Sequence, residues 1–418
     1  EIMKHVVVIG GGAAGLMAAV IAAREGAQVT LLEKMNMVGK KMGITGKGRC
    51  NITNNADMSE FIKNTPGNGK FLYGAYERFT NVDLLDLLHE WGLPTKVERG
   101  GRVFPESDSA LDVRNTFMKV LKKYGATVHL NEPVERILVH DGAVKAVETD
   151  KHTYECDAII IATGGKSYPL TGSTGDGYKF AKQIGHSVTE IRPSLVPIVT
   201  EEAWVKEIMG LSLRNVEVSV VSKNKVHAKQ FGEMMFTHFG VTGPIILSLS
   251  HTVGKLLKKA KAPVQIEINL KPALTAEVLD KRLQIDFELY SKKQLANGMK
   301  DLLPQNLIPM VIRLAELDPA KPINQITKEE RLQLLYVLQH MTLNVKGLRP
   351  VEEAIVTSGG LSLKEFNPKT MESKLVSGLY GAGEVLDIDA FTGGYNLQAA
   401  FSTGYVAAMH ITHPDMFE

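Results

Sequence analysis

Cysteine is nearly absent: 418 residues carry only Cys50 and Cys156, far apart, with no CxxC pair and no neighbouring histidine cluster. That argues against a disulfide framework, a zinc site and a dithiol relay, so no metal is expected and the compartment expected is a reducing cytoplasm. Neither sign of charge dominates, since 48 Lys and Arg against 46 Asp and Glu leave a net +2, and charge by itself neither demands nor excludes a nucleic-acid partner. No uninterrupted apolar run long enough for a membrane span occurs. The nearest, residues 6–23, is broken by Gly10, Gly11, Gly12 and Gly15 and reads as a buried strand followed by a helix. Composition shows no disorder and no repeat array. The length, two to three times that of a typical domain, predicts a multidomain chain.

What is present begins at the N-terminus. Residues 5–9 read as a strand, 13–25 as a helix and 28–32 as a second strand, a βαβ unit that builds a parallel sheet. A basic, glycine-rich loop spans 35–55, and apolar spacing predicts helices over 83–91 and 111–124. Three β-type runs follow at 134–139, 144–149 and 153–162, the first pair joined by Asp141-Gly142, and they read as a meander leading back into the sheet. From about Ile191 the texture becomes β-rich, with strands near 195–199, 216–222 and 226–230; helices are expected over 275–303 and 328–340, with Thr275 and Thr327 as N-caps. Residues 354–408 return to strand, glycine turn and helix, so the middle of the chain reads as an insertion.

Gly10, Gly12 and Gly15 lie between strand and helix. There Gly10 allows a tight turn, Gly12 lets the backbone approach a pyrophosphate, and Gly15 permits close helix–sheet packing. The free amides of Ala13 and Ala14 stand at the positive end of the helix dipole, and Glu33, 18 residues after Gly15, closes the second strand where a carboxylate accepts from ribose hydroxyls. This fingerprint does not separate FAD from NAD. Two further glycine sites, Ala162-Thr163-Gly164-Gly165 and Gly381-Ala382-Gly383-Glu384, argue for FAD, because a long cofactor stretched across a sheet needs contacts from distant segments. No second strand–GxGxxG–helix unit follows Gly165, so NAD(P)H is expected only as a transient reductant.

The stretches GKKMGITGKGRCNITN (39–54), FTHFGVTGP (236–244) and TMESKLVSGLYGAGEVLDIDAFTGGYNLQAAFSTGYVAA (370–408) resemble signatures of the bacterial YhiN/BaiN-like flavoproteins. The resemblance implies a Rossmann-type FAD domain of the glutathione-reductase kind, a three-layer α/β fold with a parallel sheet and a β-meander, carrying an inserted β-barrel-like domain and a helical subdomain. The expected boundaries are 1–190 with 357–418, 191–270 with 342–356, and 271–341. The resemblance further implies that Glu384 contacts the ribitol side of FAD and that Gly393, Gly394, Tyr395, Asn396 and Leu397 sit at the flavin pyrimidine edge. A helix N-terminus there stabilises charge on the reduced ring. Lys34, Lys41, Asn51 and Val134 complete the expected cofactor set.

The implied activity is an FAD-dependent oxidoreductase delivering hydride to a polarised carbon–carbon double bond, with two acceptor classes open: uridine in ribosomal RNA, or a small steroid-like enone bound between the FAD and inserted domains. A non-catalytic FAD-binding module is a third reading. Lys40, Lys41, Lys47 and Arg49 face FAD phosphates, an anionic substrate or water, and Lys255, Lys258, Lys259 and Lys261 form either a phosphate-binding set or a solvated helix face. Cys50 and His238 are the candidate proton donors, each with the alternative of a structural role. Asp387 and Asp389 read as turn carboxylates. The inserted region is expected to cover the flavin. Oligomeric state is not specified by any of these features.

Overall fold

Val6–Ile9 and Ala158–Ile161 are apolar without alternation, and both runs are buried on both faces, as central parallel strands must be. In the computed structural model, which describes residues 3–259 and 261–418, strand β1 (His5–Ile9) lies at the centre of a five-stranded sheet. On one side it pairs with β2 (Gln28–Leu32), itself paired with Thr127–His129; on the other side stand Ala158–Ile161 and then Leu379–Gly381, all parallel. Helix α1 (Ala13–Arg24) is buried along nearly its whole length and packs against the C-terminal helix Tyr395–Thr412. At that crossing a Cβ on Gly404 would stand 2.4 Å from Ala14 O.

The chain divides into two compact units, Glu1–Pro193 with Val351–Glu418, and Ser194–Pro350. Glu1, Ile2 and Ala260, which fall inside the expected domain ranges, lie outside the described residues. The meander of the first unit is antiparallel: Val134–His140, Ala143–Thr149, Thr153–Glu155. The expected single run over 153–162 is two strands. Asp157 breaks it, donating its amide to His5 O at 2.8 Å and accepting from His5 N at 2.8 Å, so the chain leaves the meander and enters the parallel sheet there.

The second unit is a closed six-stranded barrel in the order Ile198–Thr200, Gly240–Thr242, Lys225–Phe236, Ser212–Ser222, Val264–Asn269, Met341–Leu348. Its neighbours are antiparallel, and alternation fills the interior, with Val264, Ile266 and Ile268 buried between half-exposed residues. Between the last two strands run the helices Ala276–Leu289, Ile308–Leu314 and Lys328–Gln339, which share one apolar core with the barrel. Thr275 and Thr327 cap their helices by accepting from Val278 N and Glu330 N. The helix expected over 275–303 ends at Leu289. The amides of Leu295 and Ala296 donate instead to Lys321 O and Pro319 O, and Gly298 fits against Ile323, whose Cδ1 would be 2.0 Å from an added Cβ. Tertiary pairing with the proline-rich segment wins over helical propensity. Among the described residues no helix is long and apolar enough to cross a membrane.

Candidate functional site

The three fingerprint glycines are not equivalent. Gly10 has φ +104°, and a Cβ there would lie 2.3 Å from Ala162 O. At Gly15 an added Cβ would lie 1.8 Å from Gly10 O, whereas at Gly12 it would meet nothing within 4 Å. Protein packing therefore requires the first and third glycines, and only an approaching ligand requires the second. Helix α1 starts at this open cradle with no side-chain cap and no acidic residue in its first turn, so Ala13 and Ala14 present the positive helix end to an anion.

Beside the cradle Glu33 is fixed by the backbone, its two oxygens accepting from Gly11 N and Met35 N, each at 2.9 Å. A carboxylate oxygen has two acceptor positions, so both keep one for a ribose hydroxyl. Lys34 turns to Asp176, at 2.7 Å, and to Thr174. Val134, half-buried, opens the meander opposite Thr149. Ala162 N donates to Ile9 O at 2.8 Å, and Gly164, at φ +74°, turns the chain away from the strand end. Thr163 faces Gly177, where a Cβ would come within 2.1 Å of its hydroxyl, so its side chain points at the following helix and away from the cradle.

Lys41 reaches Glu384 at 2.6 Å and Ser167 Oγ at 2.9 Å, while Glu384 also accepts from Thr357 N at 2.5 Å. This network ties the basic loop to the C-terminal glycine turn and consumes one of the loop's charges. Arg49 is consumed likewise: its guanidinium donates to Asp108, at 2.8 Å from Nε, and to Glu98. Arg49 holds the Glu98 carboxyl below its usual range, and Lys96 and Arg49 do the same to Asp108. Lys40 and Lys47 carry no ion pair among the described residues.

The opposite end of the crevice is built on the C-terminal helix. Gly393 and Gly394 have φ of +122° and +97°, and a Cβ on Gly394 would stand 2.2 Å from Thr53 O. With its amide oriented to satisfy all three neighbours, buried Asn51 accepts from Gly394 N at 3.0 Å and donates to Thr53 O and Val103 O. Asn54 donates to Gly393 O at 3.1 Å, and Gln398 accepts from Thr53 Oγ1 at 2.7 Å. Asn396 brackets Ala390 with both ends of its amide; Tyr395 packs edge-on against Phe61, and Leu397 is half-buried on the core. Gly383, at φ +78°, donates to Thr403 Oγ1 and abuts Ala14, where a Cβ would approach to 2.8 Å. From the crossing at Gly404 to the helix start at Tyr395 is about 14 Å, nine residues at 1.5 Å each. Two uncapped helix N-termini are thus separated by more than a pyrophosphate's length, a spacing that suits an extended dinucleotide such as FAD.

Thr357, Ser167 and Thr403 were not anticipated. The one available signal was the buried polar set Gln398, Ser402 and Thr403 in an otherwise apolar helix.

Cys50 lies under the loop at φ +62° with 0% exposure, and burial pushes its thiol up to about 12, with the Thr45 hydroxyl acting the other way. A sulfur with no accessible surface touches no substrate in this conformation, and the geometry suits packing beneath the loop. His238 belongs to the other unit, exposed and edge-on to Phe239. Because the Cys50 thiol ionises near 9.0 when free and near 12 when folded, the unfolded chain releases a proton first as pH rises. Stability should therefore fall above pH 9, by about 1.4 kcal/mol per pH unit for this thiol. Cys50→Ala is expected to flatten that slope in urea titrations; an unchanged slope would show that the thiol is not sealed.

Fold and site together define an FAD-dependent oxidoreductase of the Rossmann type. The HI0933-like protein Rossmann domain matches residues 4–410, and the chain belongs to that family. It is 30% identical over 409 residues to the 3-dehydro-bile acid delta(4,6)-reductase of Clostridium scindens, covering 97% of this chain and 98% of that protein. It is also 30% identical over 412 residues to the ribosomal RNA dihydrouridine synthase of Haemophilus influenzae, with 97% and 98% covered. Among solved structures, 3-ketosteroid-delta4-(5alpha)-dehydrogenase from Rhodococcus jostii superposes with a TM-score of 0.54 at 15% identity, over 99% of this chain and 98% of that one, a likeness of fold.

Proposed function

We propose that the protein reduces a carbon–carbon double bond conjugated to a carbonyl, and that its acceptor is the C5–C6 bond of uridine in ribosomal RNA. The observation that carries the reading is the pair of nearly full-length relatives, one named for an oxo bile acid and the other for dihydrouridine in ribosomal RNA. Both names describe saturation of a double bond conjugated to a carbonyl. Exposed Lys255, Lys259 and Lys261 favour the polyanionic acceptor over the apolar one. The small-enone reading retains equal support from identity.

In this reading Gly10, Gly12, Ala13, Ala14 and Gly15 hold the pyrophosphate and Glu33 the ribose. Gly394, Tyr395, Asn396 and Leu397 would hold the flavin end, where an uncapped helix N-terminus would stabilise negative charge on the reduced ring. Bound there, reduced FAD would supply the hydride for C6 of the uracil, with the proton for C5 coming from the protein or solvent and with NADH or NADPH as the reductant consumed. Of the two nominated acids, exposed His238 rather than sealed Cys50 is able to meet a substrate. The site of action is the cytoplasm, where ribosomal RNA is made.

Deleting the gene in its own host is expected to abolish at least one dihydrouridine in ribosomal RNA, with restoration by the wild-type gene and by Cys50→Ala but weakly by His238→Gln. Purified enzyme should install the same modification with NADH or NADPH as donor. An unchanged dihydrouridine map, with turnover on steroid enones instead, would transfer the function to the second acceptor class.

A further inference from the structure

The second unit carries a concentration of positive charge at one end of its barrel. Strands Ser212–Ser222 and Lys225–Phe236 are joined by Lys223 and Asn224, at φ +53° and +58°, a tight two-residue turn. Ser222 pairs with Lys225 on one side and Val264 on the other, and its hydroxyl donates to Pro263 O at 3.1 Å. The hairpin tip therefore meets the connection that follows the helix Pro244–Lys259. That helix starts beside Gly232, where a Cβ would lie 2.8 Å from Ile245. From Ile245 to Lys259 it rises about 21 Å, and the strand from Gly232 back to Lys225 spans about 24 Å. Both elements thus end at the same level.

Six lysines gather there, Lys223, Lys225, Lys229, Lys255, Lys259 and Lys261; all are exposed and none is in an ion pair among the described residues. Residues 218–232 and 234–266 contain no Asp or Glu. Three carboxylates border the patch on its side away from the hairpin tip: Glu267, level with Lys229 across Ser219, is engaged by His340 Nδ1, Glu217 pairs across from Phe231, and exposed Glu233 follows Phe231 by two on the same strand, so the acid-free part of the surface is the tip itself with the end of the helix. Phe231, 60% exposed, shares a strand face with Lys229.

We infer that this end of the barrel is a docking surface for single-stranded RNA, with the lysines on the phosphates and Phe231 stacked on a base. The inference rests on the ribosomal RNA reading and names the surface that captures that substrate. Lysines on an exposed strand edge also block edge-to-edge association, and that role alone would leave RNA affinity untouched by their removal.

The test is fluorescence anisotropy of the full-length holoprotein with a labelled oligouridylate across a salt series. Changing Lys223, Lys225 and Lys229 together to Gln should weaken binding about tenfold or more near 0.1 M salt and make the log–log salt slope shallower by about 2, three contacts at about 0.7 each. The triple Arg variant should bind like wild type. FAD content and reduction by NADH or NADPH should not change in either variant. In the deletion strain the Gln variant should fail to restore dihydrouridine and the Arg variant should restore it. Full restoration and an unchanged slope with the Gln variant would overturn the docking surface while leaving the RNA reading intact. If deletion removes no dihydrouridine, the reading itself fails and the inference with it. Loss of binding to phosphatidylserine vesicles with RNA binding unchanged would assign the patch to a membrane surface and overturn it too.

Discussion

Gly12→Ala is expected to give a colourless protein whose unfolding matches that of wild-type apoprotein, whereas Gly15→Ala is expected to lose the fold of the first unit along with FAD. The two substitutions add the same methyl group to the same turn. At Gly12 it enters space that no protein atom occupies within 4 Å, so packing is untouched and only the pyrophosphate is displaced. At Gly15 it would lie 1.8 Å from Gly10 O, inside the contact between α1 and the turn that starts it. Relief requires the helix to move off the sheet, and because the clash is with backbone that cannot rotate away, the cost exceeds the usual overpacking penalty of about 1–3 kcal/mol and reaches the scale of a domain's whole stability, about 5–15 kcal/mol. The comparison must be made on apoproteins, since bound cofactor raises stability by mass action. Equal FAD content in Gly12→Ala and wild type would show that the cradle does not hold the pyrophosphate.

The second large effect is expected at Asn51. Replacing it with alanine leaves Gly394 N, Thr53 O and Val103 O without their side-chain partner in a buried setting. Val103 O keeps the bond from Ile52 N at 2.9 Å; an unmet buried group costs about 1–3 kcal/mol, so the expected loss is about 2–4 kcal/mol. The glycine turn before the C-terminal helix also loses the bond that orients it, so FAD affinity should fall together with stability. Urea unfolding followed by flavin fluorescence measures both. A variant with wild-type stability and affinity would mean that the turn is held by Asn54 and Gln398 alone.

Much of the architecture was legible because its cues are local. Uniformly apolar Val6–Ile9 and Ala158–Ile161 announce a buried parallel sheet, glycine spacing places the turn into α1, and the strand-like runs at 216–222 and 226–230 announce the hairpin Ser212–Ser222 and Lys225–Phe236. What was hidden depends on partners remote in sequence. Asp157 ends one strand and starts another because His5 lies beside it, and nothing in residues 153–162 reports that. The helix that stops at Leu289 does so because Lys321 and Pro319 offer carbonyls to Leu295 and Ala296. The lysines of the 39–49 loop looked alike in sequence. Only the approach of Glu384, and of Glu98 with Asp108, separates Lys41 and Arg49 from Lys40 and Lys47.

The central sheet draws its strands from both ends of the chain: Ala158–Ile161 is synthesised long before its neighbour Leu379–Gly381. At about 5–20 residues per second the ribosome takes roughly 10–45 s to pass from one to the other. During that interval Ala158–Ile161 lacks its outer neighbour and α1 lacks the helix that covers it, while all of Ser194–Pro350 emerges and has time to fold. Throughout that interval the apolar strand Ala158–Ile161 has no outer neighbour to pair with. If the helix Tyr395–Thr412 holds one end of the cofactor, loading starts only after that helix has left the exit tunnel, and a chaperone that shields Ile159–Ile161 until then would raise the yield of loaded protein.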